Sequence, residues 1–135
     1  MYKNILVPVL FDEGHDTQAS YAVARKLADD GAKFTVIHVL EEIPNYVTDE
    51  IPTDILEKSR AEANEKLHTA SLALPDAQSA MVHGHPGRAI VSYAAENDID
   101  CIVIASHKLG FTDLFLGSTA SRVVRHAPCS VHVIR

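Results

Sequence analysis

Apolar runs and helical stripes alternate along this chain from end to end. Asn4-Ile5-Leu6-Val7-Pro8-Val9-Leu10 is nearly continuous in apolar residues, the pattern of a strand buried on both faces. Pro8 has no amide to give a ladder, so pairing is expected to stop on one side there. Beyond the turn-rich Asp12-Glu13-Gly14-His15, the residues Ala19, Ala22, Val23 and Leu27 fall at helical spacing, with Gly31 as the expected C-cap. Phe34 to Leu40 reads as a second buried strand. Glu41 to Thr53 holds Pro44 and Pro52 without a clear period, and is expected to be a mobile connection over one end of a sheet.

The second half repeats the alternation. Leu56, Ser59, Ala63, Leu67, Ala70 and Leu74 form the stripe of a long amphipathic helix that Pro75-Asp76 stops. Ser79 to His83 is a third strand. Pro86 opens a helix with Ile90, Val91, Ala94 and Ala95 on its apolar stripe. Cys101 to Ala105 is the fourth strand, and Ser106 to Leu116 a loop. A helix from Ser118 to His126 carries Ala120, Val123, Val124 and Ala127, and Ser130 to Ile134 is the fifth strand. Strands of this kind separated by helices predict an α/β fold, a mostly parallel sheet with helices on both faces and right-handed crossovers. No repeat or linker divides residues 1–135, so one domain is expected.

Composition narrows the function. Among 135 residues, 12 basic side chains stand against 18 acidic ones, a net charge of −6. That balance argues against binding a nucleic-acid backbone. No apolar stretch approaches the ~20 residues of a membrane span, and the start lacks the pattern of a signal peptide. A cytoplasmic protein is expected, with Cys101 and Cys129 as free thiols in apolar runs.

In an open parallel sheet, ligands bind beyond the carboxyl ends of the strands where the strand order reverses. Four segments are therefore candidates: Val9-Leu10-Phe11, Val39-Leu40, Gly84-His85-Pro86 and Ala105-Ser106-His107-Lys108. Gly117-Ser118-Thr119 follows the last of these at the mouth of a helix, where free amides and the positive dipole end favour an anion. The plainer reading makes Ser118 an N-cap. His83 and His85 share one side of an extended segment, but no carboxylate or thiol spacing completes a metal site, so none is expected. His38 in an apolar strand reads as a satisfied core histidine. His126 suits a cationic helix end. No nucleophile with a base partner stands out, and no catalytic residue is assigned.

Asn97 to His107, then Leu116-Gly117-Ser118, then Val123 to Val131, resemble the C-terminal signature of the universal stress protein family. Lys3 to Val9 and Ile37-His38-Val39 match it too, so the resemblance spans the chain. It falls in a branch with Ala-Ser-His followed by a basic residue, here Lys108. The resemblance implies a Rossmann-like sheet in the order 3-2-1-4-5, of the adenine nucleotide alpha hydrolase kind. It also implies a homodimer paired through the last strand, Ser130 to Ile134. An exposed strand edge at Val131 and Val133 calls for such cover in its own right.

Many members of that family bind ATP through a G-x2-G-x9-G-[ST] pattern. This chain keeps Gly117-Ser118 but has Ala105 and Lys108 at the leading glycines, with Gly110 nearby. The family aspartate after the first strand is replaced by Leu10, with Asp12 as a nearby carboxylate, so Mg is less expected than the nucleotide itself. Transferred by position, Val39 gives backbone hydrogen bonds to adenine, with Pro8, Val9 and Leu10 at the end of strand one beside it. Ala105, Ser106, His107 and Lys108 line ribose and phosphates, and Gly117, Ser118 and Thr119 hold phosphate. The implied function is a stress-response sensor for ATP, ADP or AMP with at most slow hydrolysis. The alternative is a dimerisation module of the same fold that binds no nucleotide.

Overall fold

The computed structural model describes residues 1–10, 17–41, 44–106 and 116–135, with all their side chains except those at 45 and 48. The elements run in the order β1 (Tyr2–Pro8), α1 (Thr17–Leu27), β2 (Ala28–Leu40), α2 (Asn45–Thr48), α3 (Thr53–Ser71), β3 (Gln78–His83), α4 (Pro86–Glu96), β4 (Cys101–Ala105), α5 (Ser118–His126) and β5 (Ser130–Ile134). The strands form one parallel sheet in the order β3-β2-β1-β4-β5, the expected order.

Period-2 alternation sorts the apolar residues into two cores. Ile5, Val7, Val9, Phe34, Val36, Cys101 and Val103 meet Tyr21 and Ala24 of α1 and Leu67 of α3 on one face. On the other, Leu6, Ile37, Val39, Ile102 and Ile104 meet Ile90 and Ala94 of α4 and Ala120 and Val123 of α5. Both faces are covered, which is why these strands read as continuous apolar runs. The helices α4 and α5 cross closely: a Cβ on buried Gly87 would come within 2.8 Å of Arg122 Cδ.

Several boundaries differ from those expected, including the start of β2 at Ala28 in place of Phe34. β1 begins at Tyr2 and ends at Pro8, leaving Val9 and Leu10 beyond it. α1 stops at Leu27, not at Gly31. Gly31 instead takes a φ of +76° where the register jumps from Tyr2↔Ala28 to Asn4↔Lys33, so two steps along β1 match five along β2. A glycine suits a left-handed turn inside such an irregularity. Finally, α3 ends at Ser71. The chain then continues in tight turns, with amides of Leu72, Ala73 and Leu74 donating three residues back, until Leu74 is buried. Within the segment expected to be a loop, Asn45–Thr48 forms one helical turn.

At the amino ends of β1 and β4 the strands are clasped. The Asp100 carboxylate accepts from the Lys3 amide at 2.8 Å and the Asn4 amide at 3.0 Å. The Asp100 amide donates to the Asn4 carbonyl, and the Asn4 side chain donates to the carbonyls of Asn97 and Asp98. At their carboxyl ends the same strands part.

Candidate functional site

Pairing between β1 and β4 is confined to Ile5↔Cys101 and Leu6↔Ile102. On its other side β1 stays in register with β2 as far as Pro8↔Ile37, and the Val9 amide still donates to the Ile37 carbonyl at 2.9 Å. In this register Ile37 turns its amide and carbonyl to β1, so the backbone nitrogen of Pro8 faces β4. A residue without an N–H thus stands where the β4 ladder has ended, as its sequence position predicts. Beyond Leu6 the ladder between β1 and β4 ends, and the unpaired gap past it is the crevice expected at a switch point. The chain crosses one way from β1 to β2 and the other way from β4 to β5, which makes this the switch point of the sheet.

Those of the predicted residues that are described stand at or just beyond the carboxyl ends of β1, β2 and β4, or open α5. Pro8 is partly exposed, Val9 is buried, and Val39 is 9% exposed at the end of β2. By ladder alternation the Val39 backbone also turns toward β1, yet β1 supplies no partner that far along. The Val9 carbonyl, the natural acceptor, is instead bound by His38 Nδ1 at 2.9 Å. His38 is therefore satisfied, as expected of a core histidine. Leu10, 44% exposed, lines a cleft of roughly 680 Å³ between α1 and α3 together with Thr17, Tyr21, Glu62 and Lys66.

Across the crevice, Ala105 ends β4 and Ser106 is buried, its amide donating to the Ile134 carbonyl at 2.8 Å. The Ser106 carbonyl accepts from the Gly117 amide at 2.7 Å, which ties the residue after β4 to the start of α5. Gly117 is the N-cap of α5, and Ser118 is the first residue inside it, not the cap. The Gly117 carbonyl accepts the first intrahelical bond, from Ser121. The amides of Ser118, Thr119 and Ala120 thus point out of the helix mouth without an intrahelical acceptor. No acidic residue stands in the first turn of α5 to neutralise its dipole, while Arg125 and His126 occupy the last turn. This mouth can take an anion.

His107 and Lys108, with Asp12 and Gly110, lie outside the described residues. His85 caps α4, its Nδ1 accepting from the Arg88 amide at 3.4 Å. Among the described residues no group of three or more His, Cys, Asp or Glu is placed to hold a metal ion. Nor is any described helix long and apolar enough to cross a membrane.

Two contacts escaped the sequence reading, His38 with Val9 and Gly117 with Ser106. Each joins residues distant in sequence through a backbone carbonyl, and no side-chain pattern marks a carbonyl.

A doubly wound parallel sheet in this order, with its switch point between β1 and β4, defines the Rossmann-like class of α/β architecture. Its relatives are more particular. The sequence profile of the universal stress protein family matches residues 1–135. A universal stress protein of Thermus aquaticus is 34% identical over 140 aligned positions, covering all of both chains. Among solved structures, the universal stress protein UspA from Lactobacillus plantarum superposes with a TM-score of 0.78 at 30% identity, over 99% of this chain and 98% of the other. The universal stress protein from Archaeoglobus fulgidus, in complex with dAMP, has the same fold at 23% identity, with a TM-score of 0.65 over 99% and 98% of the two chains. The chain belongs to the universal stress protein family.

Proposed function

We propose that this stress protein binds an adenine nucleotide in the crevice beyond β1 and β4 and acts as a nucleotide-responsive regulator. The observation that carries this reading is a set of unmet backbone donors at one end of the sheet: the Val39 amide on one side, the first-turn amides of α5 on the other. The base would lie against Pro8 and Val9, hydrogen-bonded to the Val39 backbone, with Leu10 at the rim. Ala105 and Ser106 would line the ribose. Ser118 and Thr119 would hold phosphate through amides and hydroxyls, and Gly117 would shape the mouth through its bond to Ser106. The dAMP held by the A. fulgidus protein of this fold supports an adenine ligand.

AMP, ADP and ATP all suit this arrangement, with ATP as the reading from the family pattern. The residues assigned to the site include no carboxylate. They therefore offer Mg no charged ligand and water no general base, and any hydrolysis would be slow.

Calorimetric titration with AMP and ATP tests the reading. Saturable binding is expected in the wild type. Ser118→Asp adds a negative charge that suits the helix start but opposes phosphate, so affinity should fall about tenfold or more with no loss of melting temperature. Absence of saturable binding to the wild type overturns the proposal.

The free edge of β5 supports a second property, a homodimer, and with it the rival reading of a dimerisation module without nucleotide. Ile134 gives its carbonyl to Ser106, so Ser130, His132 and Ile134 turn their backbones to β4, while Val131 and Val133 turn theirs outward. An unpaired outward edge favours pairing with a second copy. Melting with ligand at 100 times its Kd separates the readings, because binding adds about 2.7 kcal/mol and the rival adds nothing.

A further inference from the structure

The β1–β2 ladder ends one rung early, where a side chain holds the next acceptor. Pro8 stands opposite Ile37, and the Val9 amide donates to the Ile37 carbonyl at 2.9 Å. In a parallel ladder the next bond runs from the Val39 amide to the Val9 carbonyl. That carbonyl instead receives His38 Nδ1 at 2.9 Å. A carbonyl oxygen only accepts, so the proton sits on Nδ1. His38 belongs to β2 itself, with its side chain on the α1–α3 face, opposite to that of Val39. The Val9 carbonyl thus meets the ring and not the Val39 amide. The Val39 amide, in a residue only 9% exposed, is left without a described partner. A buried amide without an acceptor is costly, and the cost is recovered when a ligand supplies one.

We propose that His38 is a positioning residue for the nucleotide crevice: by holding the Val9 carbonyl it keeps the ladder from closing over the Val39 amide, which stays available to a ring-nitrogen acceptor of the base. This rests on the nucleotide reading above, and it adds a reason for a polar ring inside an apolar strand. The imidazole touches the wall of the crevice, not the ligand.

Amide hydrogen exchange on the free protein, followed by calorimetry with AMP, tests it. In the wild type the Val39 amide should exchange much faster than the Ile37 amide. His38→Phe keeps the ring volume without the donor; the rung should then form, slowing Val39 exchange and weakening AMP about tenfold. His38→Asn, whose Nδ2 occupies the place of Nδ1, should restore fast exchange and bring AMP affinity to within about threefold of wild type. Should His38→Phe melt below the assay temperature, His38→Gln replaces it, since its amide reaches the Nε2 position instead. Equal protection of Val39 and Ile37 in the wild type overturns the proposal, as does unchanged AMP binding in His38→Phe or failure of His38→Asn to restore it. A wild type that binds no AMP defeats the site reading, and the exchange comparison then decides the role of His38 alone.

Discussion

The amide of Gly117 donates to the carbonyl oxygen of Ser106 at 2.7 Å, and the approach is so close that a Cβ on residue 117 would overlap that oxygen. Glycine is required here by proximity, since its φ of −57° is open to any residue. The obstacle is backbone, fixed by β4 on one side and by the Ser106 amide's bond to Ile134 on the other. Gly117→Ala should therefore cost about 1–3 kcal/mol. Gly87→Ala is the control: its nearest neighbour is the Arg122 side chain, 2.8 Å away at Cδ, which can swing aside. There the gain in helix propensity offsets the crowding, and stability should stay within about 1 kcal/mol of wild type. Urea unfolding of both variants, read as a shift in midpoint at constant slope, checks the contrast.

Burial pushes the Cys101 thiol up to about 11 from its ordinary 9.0, with Cys129 and Asp100 adding to the effect. The folded protein keeps this thiol neutral while the unfolded chain ionises it first. Stability from this source is thus complete below pH 9 and is lost as pH climbs from 9 toward 11, by roughly 2 kcal/mol in all. The wild type and Cys101→Ala should converge in stability over that window. Urea unfolding of both at pH 7.5 and 10.5 measures it, and a gap that stays constant refutes the assignment.

If β5 pairs with its counterpart, the outward amide of Val133 is one of its donors. Val133→Pro removes that donor and leaves the bonds of His132 and Ile134 to β4 in place. A dimer should become a monomer by sedimentation, with the sheet signal in circular dichroism retained. A variant that stays dimeric moves the interface off this edge.

Much of the architecture is legible in the linear pattern. β4, α5 and β5 have the bounds that apolar runs and helical spacing predict, because each is a short element enclosed by polar turns. The early boundaries are less so. Gly31 looks like a helix end, yet α1 stops at Leu27, because the chain there must reach Tyr2 and absorb the register jump. Where a strand stops depends on whether a neighbour remains beside it. Composition does not record that.

The candidate site divides in the same way. Pro8 and the Gly117-Ser118-Thr119 mouth stand out in the sequence by residue type and position, and Val39 by its place near a strand's carboxyl end and by the family resemblance. The bonds from His38 to Val9 and from Gly117 to Ser106 do not, since their acceptors are main-chain oxygens that every residue possesses. Sequence by itself determined the alternation of elements, the two-faced burial of the strands and the chemistry available at their ends. Tertiary structure decided which backbone groups are consumed by the protein and which are left over, because a hydrogen-bond partner is assigned by distance and direction, and these exist only once the sheet has closed.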